Sequence, residues 1–228
     1  MLSKIILPKR VNKPHYFPKI GNKQTLRVTA GINAIIGPNA CGKTTILNAI
    51  RRIVNDKYDD LTSKKLKSSI YAPAGYEYSI SLEFDDILLK RSSIITYNPG
   101  VYSADADSQN IMNTRGVSAF ISLHVFRMSN AQCSAHYFSE FFSRHKETIK
   151  NENCIILSDE LETSNDLTTI DCLMNVLKSW TKHCPNLQIL IATHHPTIIK
   201  YADNVIELMP NYKSKLINDW KQLVDSMQ

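Results

Sequence analysis

The sequence predicts an α/β fold built on a mostly parallel sheet, with an antiparallel β subdomain and a helical lobe. Three observations predict it. The segment Gly37–Thr45 fits the pattern G-x-x-x-x-G-K-[ST] and stands between a predicted strand and a predicted helix. Strands alternate with helices through the last third of the chain, which is typical of a parallel sheet. Residues Tyr78–Phe84 alternate apolar and polar side chains, the period of a half-buried strand.

The elements around Gly37–Thr45 are predicted by apolar periodicity. Residues 25–36 form two strands broken at Ala30-Gly31, and the second ends at the loop as a short apolar run. After the loop, apolar residues recur at helical spacing from Ile46 to Val54. Backbone N–H groups of such a loop cradle phosphates, and the positive end of the helix faces them. The sequence therefore predicts a nucleotide site.

The middle of the chain is less regular. The polar, lysine-rich segment Asp59–Lys67 is predicted to be a loop or an exposed turn. Asp85-Asp86 predicts a turn after Tyr78–Phe84, and residues 87–97 are predicted to return as its partner strand. Residues 100–114 are rich in Ser, Asp and Asn and are predicted to be flexible. Through residues 117–144, aromatic and aliphatic side chains recur at helical intervals.

In the last third of the chain, the apolar pattern predicts strands that are followed by acidic residues or histidines. Ligands of such sheets bind at the carboxyl ends of the strands, so the residues after each strand are candidates for a site. A C-terminal helix follows, with an apolar face that either packs on its own domain or docks a partner. The predicted elements are strand Cys154–Leu157 ending at Ser158-Asp159-Glu160, helix Leu167–Trp180, strand Leu187–Ala192 ending at Thr193-His194-His195-Pro196, strand Val205–Leu208 and helix 216–227.

Cysteine usage and hydropathy limit the class of protein. The five cysteines are scattered and form no C-x-x-C pair, which argues against a disulfide framework or a zinc site and predicts a cytoplasmic protein. No apolar run reaches the roughly 20 residues that span a bilayer. Residues Met1–Arg10 lack the apolar region of a secretory signal.

The formal net charge is +6, and lysine and arginine concentrate in the first 70 residues. This distribution favours a face that contacts DNA or RNA. The alternative is a solvated surface that also attracts nucleotide phosphates. Charge alone leaves both open.

Three groups of residues carry the predicted chemistry. Lys43 neutralises the outer phosphates and the Thr44 hydroxyl ligates Mg²⁺. Asp159 can hold Mg²⁺ and Glu160 can polarise an attacking water, although an acidic turn is also a common way to end a strand. A histidine after the next strand can bond the γ-phosphate, and chemistry alone does not choose between the two adjacent histidines.

Together these residues resemble the ABC-type ATPase head, in the soluble variety of SMC, RecF and OLD-like proteins. The passage Gly31–Asn39 is particularly similar to the strand-to-loop passage of those heads. The resemblance covers about residues 25–208. It implies that His194 is the switch histidine, Glu160 the base and Asp159 the Mg²⁺ ligand. The ATP-binding residues that it implies in the loop are Gly37, Asn39, Ala40, Cys41, Gly42, Lys43, Thr44 and Thr45.

The resemblance also implies residues that complete the site of a second subunit. Thr163–Asp166 falls at the D-loop, so Asp166 would face the other head. Residues 128–132 resemble the signature segment, in which Ser129 would bind the opposing γ-phosphate; an ordinary helix cap is the alternative. Residues 131–144 would be the signature helix, and Gln109 would sense Mg²⁺.

Four residues depart from the family pattern. Ala40 replaces a usual glycine, which we expect to require a φ below zero. Cys41 stands where Ser or Ala is usual, Ala131 replaces a signature glycine, and Leu161 replaces a proline. None of these changes removes a catalytic group.

The resemblance implies one ATPase domain over residues 1–228, with a β and phosphate-loop part to about 100, a helical signature lobe to about 150 and a Walker B and switch-histidine part after it. Such a head forms a homodimer over ATP and Mg²⁺ and couples hydrolysis to a protein partner, an effector or nuclease, or to DNA. DNA maintenance, recombination or phage defence is the expected role. A transporter subunit or a regulatory module with weak or no hydrolysis is the alternative.

The spacing of the motifs excludes a long coiled-coil tether. Only 83 residues separate Thr44 from Met128, and they contain no sustained heptad pattern.

Overall fold

The structure is a computed structural model that describes residues 1–7, 24–56, 65–71, 77–85, 93–97, 130–163 and 165–226. In chain order its elements are β1 (Leu2–Leu7), β2 (Gln24–Arg27), β3 (Gly31–Ile36), α1 (Lys43–Asp56), β4 (Lys65–Tyr71), β5 (Glu77–Phe84), β6 (Ser93–Tyr97), α2 (Asn130–Asn151), β7 (Cys154–Asp159), α3 (Leu167–His183), β8 (Leu187–Thr193), α4 (Pro196–Tyr201), β9 (Asn204–Glu207) and α5 (Tyr212–Asp225).

Five strands form a parallel sheet in the order β6-β7-β8-β3-β9. Its central strands are almost continuously apolar, as expected of strands covered on both faces. In the register, Ile36 of β3 lies opposite Thr193 of β8, and Ala192 lies opposite Asp159 of β7. The residues that follow these three strands therefore meet at one edge of the sheet, and the predicted α/β fold is confirmed.

A second, antiparallel sheet has the order β2-β1-β5-β4. Two sequence predictions are wrong here. Residues 65–67, predicted to lie in a loop, begin β4, and the strand predicted to pair with β5 is instead β6, which pairs with β7 in the parallel sheet. The partner of β5 on its other side is β1, a strand for which no pairing was predicted. Alternating side chains specify a strand and its buried face, but not which strand lies beside it.

The parallel sheet has an apolar core on each face. On one face, α1 and the antiparallel sheet contribute Ile46, Ile50 and Ile53 together with residues of β1 and β5. On the other face, α2 and α3 cover the sheet. Gln188 of β8 joins the two sheets, because its buried amide accepts from the Leu2 N–H and donates to the Leu2 carbonyl, both at 2.9 Å.

Aromatic side chains attach α2 to the parallel sheet. The buried ring of Tyr97 on β6 makes edge contacts with Phe138 and Phe141 of α2, at centroid distances of 5.3 and 5.1 Å. Phe142 of α2 also contacts Trp180 of α3 at 5.1 Å. Such pairs contribute about 0.5–1.5 kcal/mol each beyond the area that they bury, so α2 is held on the body of the domain.

The C-terminal helix α5 packs on its own domain through one face. Tyr212 and Leu216 pack against a cluster of Ala34, Ile36 and Ile199. The last turn leaves this surface, with Leu223 and Val224 exposed to 50% and 44%. Among the helices that the structure describes, none is long and apolar enough to cross a membrane.

Candidate functional site

The loop after β3 contains a tight turn at Ala40. The Cys41 N–H donates to the Pro38 carbonyl at 3.3 Å, and Ala40, the third residue of this turn, has a φ of 58°. This is the turn position at which positive φ usually selects glycine or asparagine. The expectation that Ala40 keeps a negative φ is wrong, because the loop geometry imposes the left-handed conformation on an alanine.

Cys41 fills the interior of the loop. Its side chain is 2% exposed and belongs to the core cluster under α1. A Cβ at Gly37 would lie 2.6 Å from the Cys41 Sγ and 3.3 Å from the Leu208 Cβ, so only glycine fits at position 37. The unusual cysteine thus packs where the backbone of Gly37 leaves space for it.

The ammonium of Lys43 lies inside the loop and uses all three of its donors. It donates to the carbonyls of Gly37 and Pro38 at 3.0 and 3.3 Å, and its Nζ lies 2.6 Å from the His194 Nε2. The residue is only 6% exposed, and burial lowers the pKa of Lys43, against the opposing effect of nearby acidic groups.

The start of α1 is suited to an anion. The first N–H groups of a helix have no intrahelical acceptor, and the helix dipole adds positive potential there. The first turn of α1 contains no acidic residue, and the Thr44 side chain is exposed in it, beside half-buried Thr45. The backbone N–H groups at the start of α1, together with Lys43 and Gly37, form a cradle that fits the phosphates of a nucleotide.

Asp159 ends β7 on the same edge of the sheet, and Glu160 follows it. Burial raises the pKa of Asp159, and a hydrogen bond from the Thr44 side chain opposes this. Its Oδ1 is buried and has no hydrogen-bond partner among the described residues. Because Mg²⁺ is often held by one carboxylate and a hydroxyl together with phosphate oxygens, Thr44 and Asp159 fit this ion.

Glu160 follows in a strained conformation. Its φ is 50°, its N–H donates to the Ala192 carbonyl at 2.9 Å, and its side chain is exposed. Thr163 donates to the Glu160 Oε2 at 3.4 Å. A non-glycine residue in this region costs about 1–3 kcal/mol, which neighbouring structure has to offset. Glu160 thus presents an exposed carboxylate directly after the buried strand β7.

The structure distinguishes the two adjacent histidines. The His194 ring lies between Lys43 and Tyr212, with its Nδ1 3.4 Å from the Tyr212 hydroxyl. Burial and then the Lys43 charge lower the pKa of His194. Because a lysine ammonium has only donors, the Nε2 of a neutral ring can contact it as an acceptor. The His195 ring caps α4 by accepting from the Thr197 N–H at 3.3 Å, and it contacts Trp220.

Sequence reasoning missed two neighbours of His194. Glu162 accepts a hydrogen bond from the His194 N–H at 2.8 Å, and Tyr212 contacts its ring. Glu162 stands two residues after Glu160, where only its charge could have marked it. Tyr212 lies in α5, and no spacing in the sequence connects it to the histidine.

Asp166 is the one other predicted site residue that the structure describes, and it lies at the start of α3. The Asp166 carboxylate caps α3 by accepting from the Thr169 N–H at 2.7 Å. Gln109 and Ser129 lie outside the described residues, as do residues 8–23 of the basic N-terminal segment. Helix α2 begins at Asn130, one residue before the predicted signature helix, and continues to Asn151.

Comparison with known proteins identifies the fold. The family described as AAA domain matches residues 15–194. The "SMC head domain from Thermotoga maritima" superposes with a TM-score of 0.52 at 16% identity, covering 90% of this chain and 94% of that one. An SMC head bound to the C-winged helix domain of ScpA gives a TM-score of 0.52 at 14% identity, with 90% and 93% covered. No curated protein matches the sequence. The predicted resemblance to SMC-like ATPase heads is confirmed at the level of the fold.

Proposed function

This chain belongs to the AAA domain family, and we propose that it binds ATP with Mg²⁺ and hydrolyses it to ADP and phosphate. One observation carries the proposal: the loop lysine Lys43 lies 2.6 Å from His194 and within electrostatic reach of Asp159 and Glu160. A lysine at a helix N-terminus, a carboxylate suited to Mg²⁺ and a second carboxylate as base are groups that phosphoryl-transfer enzymes use, and His194 lies beside them.

The loop Gly37–Thr45 would bind the phosphates. Its N–H groups and the start of α1 face the phosphates, and a phosphate oxygen would replace one of the three acceptors that Lys43 now contacts. A neutral His194 can donate a hydrogen bond to the γ-phosphate from one ring nitrogen. Thr44 and Asp159 would hold Mg²⁺, which neutralises charge on the phosphates when bound.

Hydrolysis falls to Glu160. Its exposed carboxylate would take a proton from a water as the water oxygen bonds the γ-phosphorus and the bond to the β-phosphate oxygen breaks. Lys43 and the loop N–H groups stabilise the charge that develops on the leaving oxygen. The positive φ of Glu160 is consistent with this role, since strained residues concentrate at reacting groups.

Dimerisation follows from the resemblance to SMC-like heads. Two heads would close over two ATP molecules, with Ser129 and Asp166 of each completing the site of the other and Gln109 sensing Mg²⁺. We propose a single cytoplasmic ATPase domain with the three parts described above, coupled to an effector or nuclease or to DNA, in DNA maintenance or phage defence. The basic N-terminal third supports contact with a polyanion.

Nucleotide binding is tested with Lys43→Ala by isothermal titration calorimetry with ADP and ATP. A hydrogen bond to a charged group contributes roughly 1.5–3 kcal/mol, so affinity should fall by at least about tenfold. Lys182→Ala, at an exposed position near the end of α3, is the matched control. Unchanged affinity in the Lys43 variant would refute the phosphate-loop assignment.

Hydrolysis and closure are tested with Glu160→Gln. This variant should bind ATP, lose phosphate release and accumulate as a dimer in ATP, measured by light scattering after gel filtration. Glu147→Gln on the exposed side of α2 is the control and should behave as wild type. If the Glu160 variant hydrolyses ATP at the wild-type rate, Glu160 is not the base. If the variant stays monomeric in ATP, the proposal that two heads close over ATP is wrong.

A further inference from the structure

Glu162 connects the two loops that carry the reacting groups. It lies between β7 and α3, two residues after Glu160, and its Oε1 accepts two hydrogen bonds from the end of β8. The donors are the Thr193 hydroxyl and the His194 N–H, both at 2.8 Å. One carboxylate oxygen thus joins the loop of the base to the loop of the histidine.

The connection continues through the backbone of the histidine loop. The Thr193 Oγ1 also accepts from the His195 N–H at 2.9 Å, while it donates to Glu162. Thr193 is fully buried, so these bonds are shielded from water and hold the chain on both sides of His194. Since a side chain follows its backbone, this fixes the direction in which the His194 ring leaves the strand.

The second oxygen of Glu162 is different. Its Oε2 is buried and has no hydrogen-bond partner among the described residues. A buried carboxylate oxygen without a partner costs free energy. The hydrogen-bond link itself uses only Oε1, an acceptor that the side-chain carbonyl of a glutamine would also supply.

The neighbours of Glu162 orient it. Leu161, before it, is buried in the core under α3, and Thr163, after it, donates to the Glu160 carboxylate at 3.4 Å. Residues 161–163 therefore contact the core, the histidine loop and the base in succession. A displacement of this short segment would move the base and the histidine together.

We infer that Glu162 is a positioning residue that holds His194 in place for the γ-phosphate and couples it to Glu160. This inference rests on the proposed ATPase function. ATP differs from ADP by the γ-phosphate. Loss of Glu162 should therefore affect the binding and hydrolysis of ATP and leave the affinity for ADP unchanged. A misplacement of about 1 Å can cost about a hundredfold in rate, so loss of the link should reduce kcat by about tenfold to a hundredfold.

Three variants of the full chain test it: Glu162→Ala, Glu162→Gln and the exposed control Glu147→Ala on α2. Phosphate release gives kcat and KM, and calorimetry gives the affinities for ADP and for a slowly hydrolysed ATP analogue. Glu162→Ala should lower kcat and the preference for the ATP analogue, with ADP affinity unchanged. Glu162→Gln keeps a carbonyl acceptor for both donors and should recover most of the wild-type kcat.

The outcomes separate this inference from the proposed function. A wild type that binds neither nucleotide overturns both. A wild type that hydrolyses ATP, with a Glu162→Ala variant equal to it, overturns the positioning role alone. Equal losses in the alanine and glutamine variants would exclude the hydrogen-bond link, and a parallel loss of ADP affinity would indicate general damage. If Glu162→Ala does not fold, Thr193→Val removes one donor; an unchanged kcat there overturns the inference.

Discussion

Replacing Ala40 with glycine should stabilise the protein. Ala40 has a φ of 58° in an exposed position, so its Cβ imposes left-handed strain and contributes no core packing. An L-residue pays about 1–2 kcal/mol in this conformation. A glycine loses roughly 0.5–1 kcal/mol more backbone entropy on folding. The difference predicts a net gain of about 0.5–1 kcal/mol in the free energy of unfolding.

The assay is urea denaturation followed by circular dichroism, with a thermal scan alongside. For a chain of this length, 1 kcal/mol corresponds to a shift in Tm of about 2–4 °C, so Ala40→Gly should raise Tm by about 1–4 °C. The urea midpoint should rise without a change in the m-value. The expected gain requires the relief of strain to exceed the entropic cost.

The neighbouring residue provides the matched control. Asn39 is also exposed but does not have a positive φ, so Asn39→Gly gains nothing from relief of strain. It should lower stability by about 0.5–1 kcal/mol. If Ala40→Gly lowers stability as much as Asn39→Gly does, the left-handed strain at Ala40 is absent and the reasoning fails.

Three further predictions concern a glycine at the start of β3 and two side chains beside the histidine loop. Gly31→Ala should lower the free energy of unfolding by at least about 1–3 kcal/mol in urea, because Gly31 has a φ of 81° and a Cβ there would lie 2.4 Å from the Asp203 Oδ2. Tyr212→Phe removes the hydroxyl that contacts His194 and should reduce kcat by roughly twofold to tenfold in a phosphate-release assay, with ADP affinity unchanged. Burial lowers the pKa of His195, so the unfolded chain binds more protons and stability falls as pH falls through about 6.5; His195→Asn should flatten this slope in denaturation curves.

Each of these has an outcome that contradicts it. An alanine at position 31 with wild-type stability would show that Asp203 moves aside without cost. The control for Tyr212 is Tyr201→Phe, whose hydroxyl donates to Asp171 at 2.7 Å on α3; equal effects of the two variants would exclude a specific contact with the histidine. An unchanged pH slope in His195→Asn would assign the acid sensitivity to other groups.

The sequence determined the features that depend on short spacing. The phosphate loop, its flanking strand and helix, and the strands ending at Asp159 and Thr193 follow from motif and periodicity within about ten residues. Their alternation predicted the parallel sheet, and the structure has it. These features are local because hydrogen bonding and side-chain direction within one element repeat every two or 3.6 residues.

Tertiary structure decided everything that depends on which elements lie side by side. It paired β6 with β7 and not with β5, and it brought His194 to Lys43 while His195 capped a helix. It brought the Glu162 carboxylate to the N–H of His194, which is 32 residues away along the chain. Loop closure also imposed a left-handed backbone on Ala40, against the preference of its side chain. Packing of distant segments can outweigh a local preference of 1–2 kcal/mol, and no sequence interval records which segments will meet.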